Sequence, residues 1–227
     1  MNSETPQGFR DPTLLTRWLR FALVAAIILG AAAFVSSLFQ YQLLLDFQSG
    51  AYSTREQIVA AGGANDSRQR LLATSHSAFI MLRLVIFLMW IYRVNSNVRH
   101  LGASDLEISP GWSVGWFFVP IANFWMPFEV MKELWKANTF PSNWRAEKVP
   151  VIVPIWWCLW LGVNLLASVM LFRGAPKTIG DSLSVAAFVI VFYFFAIVLD
   201  VVMLAMVEGI YRRQIFHRTV GIDETFA

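Results

Sequence analysis

Charge is scarce in this chain. Only 15% of its 227 residues are Asp, Glu, Lys or Arg, where soluble domains carry about 25%. A deficit of that size, with apolar runs near or above 20 residues, excludes an ordinary water-soluble domain and points to membrane spans. Cysteine is nearly absent: Cys158 stands alone inside an apolar run. One thiol excludes an intramolecular disulfide and a cysteine-rich metal site, and reads as a small apolar packing residue. Histidine is limited to His76, His100 and His217. They form no HExxH or HxxxH pair, so no metal site is predicted. There is no GxSxG elbow, no glycine-rich phosphate loop and no GxGxxG. An aspartyl intramembrane protease needs two carboxylates sharing a site; Asp200 stands alone at its depth, with Glu208 about two turns away. No catalytic or cofactor-binding residue is therefore assigned, and an enzyme is not expected. The net charge is only +3. The basic residues flank apolar segments instead of forming a patch, so nucleic acid is not an expected partner.

What the chain has in abundance is apolar sequence, 57% of the total. Four spans are readable, at about 18–45, 71–98, 150–172 and 183–211. They make one four-span domain over 17–212 between tails at 1–16 and 213–227, with no room for a second soluble domain. Arg10, Arg17 and Arg20 before an apolar core, then Ala31, Ala32 and Ala33, imitate a signal peptide. The run continues to Leu45, which fits a span better than a cleaved segment. The second helix is expected to start near Ser67, where Asp66 and Gln69 resemble a capping box, and to stop at Gly102. Ser53 and Glu56 suggest a separate short helix ending before Gly62 and Gly63. Pro150 and Pro154 lie near the first turn of the third span, where a missing N–H costs little. Ala22, Ala26 and Gly30 form a small-residue ladder suited to close helix packing.

The lysines and arginines orient the spans. With the N-terminus inside, the outer loops hold only Arg55, Arg68, Arg70, Arg173 and Lys177, and Arg83 lies within a span; the other twelve are inside. Both termini are therefore expected in the cytoplasm, with the chain a multi-pass protein of a bacterial inner membrane. All ten tryptophans then fall on the inner half. Indole rings favour the headgroup boundary, but belts usually form at both faces. A one-sided belt implies an extra interfacial element at the inner face.

That element is residues 110–137. Its first part carries Pro110, Trp112, Gly115, Trp116, Pro120, Asn123, Trp125 and Pro127, and the two later prolines make one unbroken helix improbable. Such a segment either dips into the membrane and returns, buried in protein or lining a wet cavity, or lies in the interface. After Pro127 the pattern is amphipathic: Val130, Met131, Leu134 and Trp135 form one stripe, and Glu129, Lys132, Glu133 and Lys136 the other, with i,i+3 pairs of opposite charge. This half reads as a helix on the inner surface. The stretches FLMWIYRVNSNVRHLG (Phe87–Gly102) and SPGWSVGWFFVPIANFWMPFEVMKELWKA (Ser109–Ala137) resemble the two signature stretches of an uncharacterised bacterial membrane family, domain of unknown function 4328. Trp90, Arg93, Asn97, Gly102, Pro110, Trp112, Gly115, Trp116, Pro120, Asn123, Pro127 and Trp135 carry the resemblance, which covers roughly 20–212. It implies a bacterial four-span membrane protein and brings no known activity. The fold class is thus an all-α membrane protein: four transmembrane helices plus a re-entrant or interfacial aromatic segment between the second and third.

Two charges lie deep in spans. An unpaired charge there costs at least about 2.5–3.5 kcal/mol. Arg83 and Asp200 match in depth and are expected to pair; Arg93 and Glu208 match one layer further in. Asn164 is a midspan polar group, expected to bond across helices. Such residues either fix helix register or mark an ion pathway. Two functions stay open: a non-enzymatic accessory or interaction protein, and a small pore or transporter using the Arg83/Asp200 layer and Asn123. The expected partners are the lipid bilayer and another membrane or cytoplasmic protein at the inner face. A homo-oligomer is compatible with the sequence, though nothing in it supports one.

Overall fold

The computed structural model describes residues 8–225, with side chains described through Thr219. The first part of the tail expected at 1–16 and the last two residues of that expected at 213–227 lie outside the described residues. Within the described residues six α-helices follow one another: α1 (Thr13–Ser49), α2 (Arg55–His100), α3 (Pro110–Gly115), α4 (Met126–Thr139), α5 (Ile152–Phe172) and α6 (Ile179–Thr225). Short 3-10 turns at Ala122–Phe124 and Pro141–Ala146 flank α4. Among the described residues there is no strand. Four of these helices in the described residues, α1, α2, α5 and α6, are long and apolar enough to cross a membrane. The chain is an all-α, multi-pass membrane protein.

The helix ends show why the chain stops and starts where it does. α2 ends at His100, and Gly102 follows with φ +96°. The Ala103 N–H reaches the Val98 carbonyl at 3.2 Å and the Gly102 N–H the Arg99 carbonyl at 3.4 Å. This double closure needs a left-handed residue, which glycine adopts without Cβ strain. Val98 and Ala103 then pack together with Ala137 and Trp144. The start of α2 departs from the sequence reading. The helix begins at Arg55 and runs unbroken through Gly62, Gly63 and Asp66. The capping box is Thr54–Gln57: the Gln57 N–H donates to Thr54 Oγ1 at 3.3 Å, and the Thr54 N–H to Gln57 Oε1 at 3.4 Å. Two interior glycines cost about 1 kcal/mol each against alanine; tertiary bonds from the next turns hold the helix in place. A second reciprocal cap opens α6. Asp181 Oδ2 accepts from the Lys177 and Thr178 N–H groups, and the Asp181 N–H donates to Thr178 Oγ1 at 3.0 Å.

The chain divides into two compact units, each assembled from separate stretches. One comprises 24–81 and 159–201. In it Arg68 ties α2 to α1: its Nε donates to Ser36 Oγ at 2.9 Å while its Nη2 reaches Asn65 Oδ1 at 2.8 Å. Gln69 Nε2 donates to the Ser36 carbonyl at 3.1 Å. Gly30 faces α6 closely enough that a Cβ there would lie 3.1 Å from Ile197 Cγ1. His76 packs edge-on against Tyr193, with ring centroids 5.3 Å apart.

The other unit comprises residues up to 23, 82–158 and 202 onward. Its core is Leu19, Leu23, Trp90, Ile91, Val94, Met131, Leu134, Met206 and Ile210, all buried. α6 continues past residue 213 without a break, and this unit supplies partners for Gln214, His217 and Arg218.

Candidate functional site

The tryptophan-rich unit is organised around buried polar side chains that hold backbone. Asn97 on α2, Asn138 on α4 and Gln214 on α6 are all completely buried. Gln214 Nε2 donates to Asn138 Oδ1 at 3.0 Å and to the Val94 carbonyl at 3.2 Å, and its Oε1 accepts from Asn97 Nδ2 at 3.1 Å. Asn97 also clasps Arg10 from both sides: Oδ1 accepts the Arg10 N–H at 3.0 Å and Nδ2 donates to its carbonyl at 2.7 Å. Asn138 Nδ2 closes onto the Leu134 carbonyl at 2.7 Å. Three helices and the N-terminal arm are joined by one amide network. In a low-dielectric interior such a network holds one arrangement, since leaving any member unpaired is costly.

A second clamp fixes the loop between α2 and α3. Glu133, 4% exposed, accepts the Glu107 N–H at 2.7 Å and the Ile108 N–H at 3.2 Å. The Ile108 carbonyl in turn accepts from Asn95 Nδ2 at 3.2 Å and Arg99 Nη2 at 2.8 Å. Burial raises the Glu133 pKa above the ordinary carboxyl value, against the two N–H bonds, which favour the charged form. The sequence reading placed Glu133 on the polar stripe of α4; the structure buries it, because the loop lies over that face. Lys132 pairs with Glu129, whereas Lys136 Nζ donates to the Arg145 carbonyl at 2.9 Å instead of meeting Glu133.

The clamped loop and α4 enclose an open cleft of about 630 Å³. Trp112, Trp116 and Trp144 are its aromatic lining, and Lys132, Lys136 and Arg145 its cations. Glu107, Glu129 and Glu133 balance them. Trp112 and Trp116 lie 4.6 Å apart by ring centroid. Trp144 donates its Nε1–H to the Ser104 carbonyl at 2.9 Å and carries the Arg145 guanidinium 4.8 Å from its ring. The cleft is a mixed aromatic and charged recess on an immobilised frame.

The aromatic segment is broken as its prolines require. Ser109 caps α3, with the Trp112 N–H donating to its Oγ at 3.3 Å and Pro110 in the first turn. Past Gly115 come turns, with Pro120 exposed and the Asn123 N–H bonded to the Val119 carbonyl at 2.8 Å. Pro127 is buried in the first turn of α4. Trp112, Phe118, Ile121, Phe124 and Trp125 are each half or more exposed. Trp135 is buried beside Gly209, its ring 4.4 Å from the Arg213 guanidinium.

The layer expected to pair Arg93 with Glu208 divides differently. Glu208 is held by Arg20 and Arg212, not by Arg93. Arg20, three residues before the end of its unit's share of α1, pairs with it and also lies 4.8 Å over the Tyr211 ring. Arg93 makes no ion pair among the described residues and lines a separate groove. Arg83 belongs to the tryptophan-rich unit and Asp200, 3% exposed, to the other; neither is without a partner. Asn164 does not bond across helices. It is exposed, and its Nδ2 donates to the Trp160 carbonyl one turn back in α5, at 2.7 Å. Sequence reasoning missed Asn138, Gln214 and the role of Glu133. A signal existed: Asn138 follows Leu134 by four residues and Gln214 follows Ile210 by four, so both amides sit on the buried stripe of their helices.

No curated protein and no solved structure matches the chain. A family described as domain of unknown function, DUF4328, matches residues 55–212. The match starts at the first residue of α2, so α1, which the resemblance included from about residue 20, lies outside it. It takes in α2 to α5, the clamped loop, the whole aromatic segment and most of α6; over this majority of its length, the chain belongs to the DUF4328 family.

Proposed function

We propose that this protein is a non-enzymatic accessory protein of a bacterial cytoplasmic membrane, with both termini in the cytoplasm, and that it docks another protein on its inner face. The observation that carries this reading is how the polar residues of the tryptophan-rich unit are used. Asn97, Asn138, Gln214 and Glu133 spend their hydrogen bonds on backbone and on one another. They build a fixed platform, and what that platform presents is the cleft lined by Trp112, Trp116, Lys132, Lys136 and Arg145. Aromatic side chains with arginine, rimmed by charge, are the chemistry of protein interfaces. The bias of lysine and arginine toward this side supports a cytoplasmic position for it.

The test is cross-linking in native membranes followed by purification of the full chain, comparing wild type with Trp112→Ala and Lys132→Glu. A defined partner that is lost in both variants supports docking. Ion or solute flux through reconstituted vesicles that disappears in Asp200→Asn, with no partner recovered, overturns it in favour of a pore or transporter.

A further inference from the structure

The expected partner of Arg93 is engaged elsewhere, and Arg93 instead sits in an apolar groove. Glu208 is shared by Arg20 and Arg212, and Arg93 has no carboxylate among the described residues. The groove, about 390 Å³, is walled by Leu15 of α1 and Val114 of α3. Its floor is one face of α2. Val85, Leu88, Met89 and Tyr92 recur there at the three- and four-residue spacing of a helix stripe, and Arg93 follows on the same face. Val85 and Met89 are more than half exposed. Eight residues separate Val85 from Arg93, roughly 12 Å of helix. The trough is therefore apolar along its length, with a cation at one end, on a helix apolar enough to span a membrane.

We propose that this groove is a binding site for an anionic phospholipid of the surrounding bilayer, with an acyl chain along Val85, Leu88 and Met89 and the phosphate at Arg93. Both ends of the trough are needed to specify this ligand. An arginine at the edge of the hydrocarbon layer without a protein carboxylate is satisfied by a phosphate, which its planar fork matches. A free phosphate leaves the apolar trough unused, a lipid lacking phosphate leaves the guanidinium without an anion, and a zwitterionic phospholipid sets its own ammonium against the guanidinium. Tyr92, half exposed beside Arg93, has the amphipathic ring that favours the headgroup level. The site stands independently of any protein docked at the cleft.

The experiment uses the full-length protein in a neutral maltoside detergent. Thermal unfolding is followed while phosphatidylglycerol, diacylglycerol with the same chains, or inorganic phosphate is added. Phosphatidylglycerol is expected to raise the midpoint saturably, and the other two to have little effect. Arg93→Gln should weaken the apparent lipid affinity roughly fivefold, the scale of one lost basic contact at an anionic surface. Arg93→Lys should keep most of it, and Lys148→Gln all of it. Leu88→Trp, which fills the trough and keeps the charge, should weaken the response as well. An unchanged phosphatidylglycerol response in Arg93→Gln overturns the proposal, as does an equal response to diacylglycerol or to phosphate. If neither variant folds, mass spectrometry of the intact wild-type protein in equimolar phosphatidylglycerol and phosphatidylcholine decides: preferential retention of phosphatidylglycerol supports the site, and equal retention sinks it.

Discussion

The indole of Trp135 lies under the guanidinium of Arg213, 4.4 Å from centroid to charge, in space left open by the missing side chain of Gly209. A Cβ at Gly209 would stand 2.7 Å from Trp135 Cη2 and 3.1 Å from Cζ3. Neither ring atom can yield without moving the ring, which is buried. Gly209→Ala is therefore expected to destabilise the protein by about 1–3 kcal/mol, the usual cost of overpacking, despite alanine's better helix propensity. Thermal unfolding in detergent measures this. Adding Trp135→Leu should recover part of the loss; a single Gly209→Ala variant as stable as wild type would remove the steric account.

Gln214 joins α2, α4 and α6 through three hydrogen bonds. Gln214→Leu keeps the volume and strands the Asn138 Oδ1 and one of the two Nδ2 hydrogens of Asn97, both buried. Each unpaired buried group costs about 1–3 kcal/mol, so this variant should be among the most destabilised of the tryptophan-rich unit. Amide hydrogen exchange around Val94 and Asn138 should accelerate with it, since no side chain of α6 then ties α2 to α4 there.

Glu133 predicts a pH dependence with a definite sign. Its folded pKa is raised above the ordinary value of 4.5, chiefly by burial. The native state then binds the proton more tightly than the unfolded state. The associated stability is fully present below about 4.5 and is lost as pH rises through the raised value. Glu133→Gln should flatten that slope. It should also lower stability at every pH, because the amide offers one oxygen and sets an NH2 group against the second backbone donor. Unfolding midpoints of the two proteins across mildly acidic to neutral pH are the measurement.

Asp11 is expected to act in the opposite direction. Burial pushes its pKa up, but hydrogen bonds from Thr13 and the Arg218 guanidinium outweigh that and leave it lowered. Its contribution is present above the ordinary carboxyl range and is lost as pH falls through the lowered value. Arg218 Nη1 donates to Asp11 Oδ2 at 2.9 Å, but the bonds from Thr13 lower the pKa more, so Arg218→Gln should reduce this acid-side loss without abolishing it. Because Asp11 is half exposed, the effect should be small and shrink further in high salt.

Gly102 supplies the left-handed turn that ends α2. Gly102→Ala should cost about 1–2 kcal/mol, the Cβ penalty of that conformation, with no steric contribution, since no atom lies within 4 Å of the added Cβ. Gly62→Ala, in a helix interior with equally open surroundings, should instead stabilise by about 0.5–1 kcal/mol. Opposite signs at two open glycines, measured by thermal unfolding, would show that backbone conformation alone decides.

The membrane character, the four long apolar helices, the stop at Gly102 and the break of the aromatic segment at Pro120 and Pro127 are all legible in the sequence. Each of these is written in neighbouring residues: run length, a residue that tolerates positive φ, a ring that removes an N–H. The pattern also placed Val130, Met131, Leu134 and Trp135 on one apolar stripe, because that requires only a helical period; that the stripe is buried in the protein comes from the packing. The start of α2 was misread for the converse reason. Gly62 and Gly63 look like a boundary locally, and the bonds from Arg68 and Gln69 to Ser36 that support the helix come from some 30 residues away. Which charge meets which was set by the packing of the helices. Depth along two helices is legible in sequence, but rotation about their axes and the reach of a third helix are not. Glu208 therefore belongs to Arg20 and Arg212, Glu133 turned inward to hold a loop, and Arg93 was left facing an apolar groove. Partners of a long polar side chain are settled by packing of elements distant in sequence, and no local pattern encodes that.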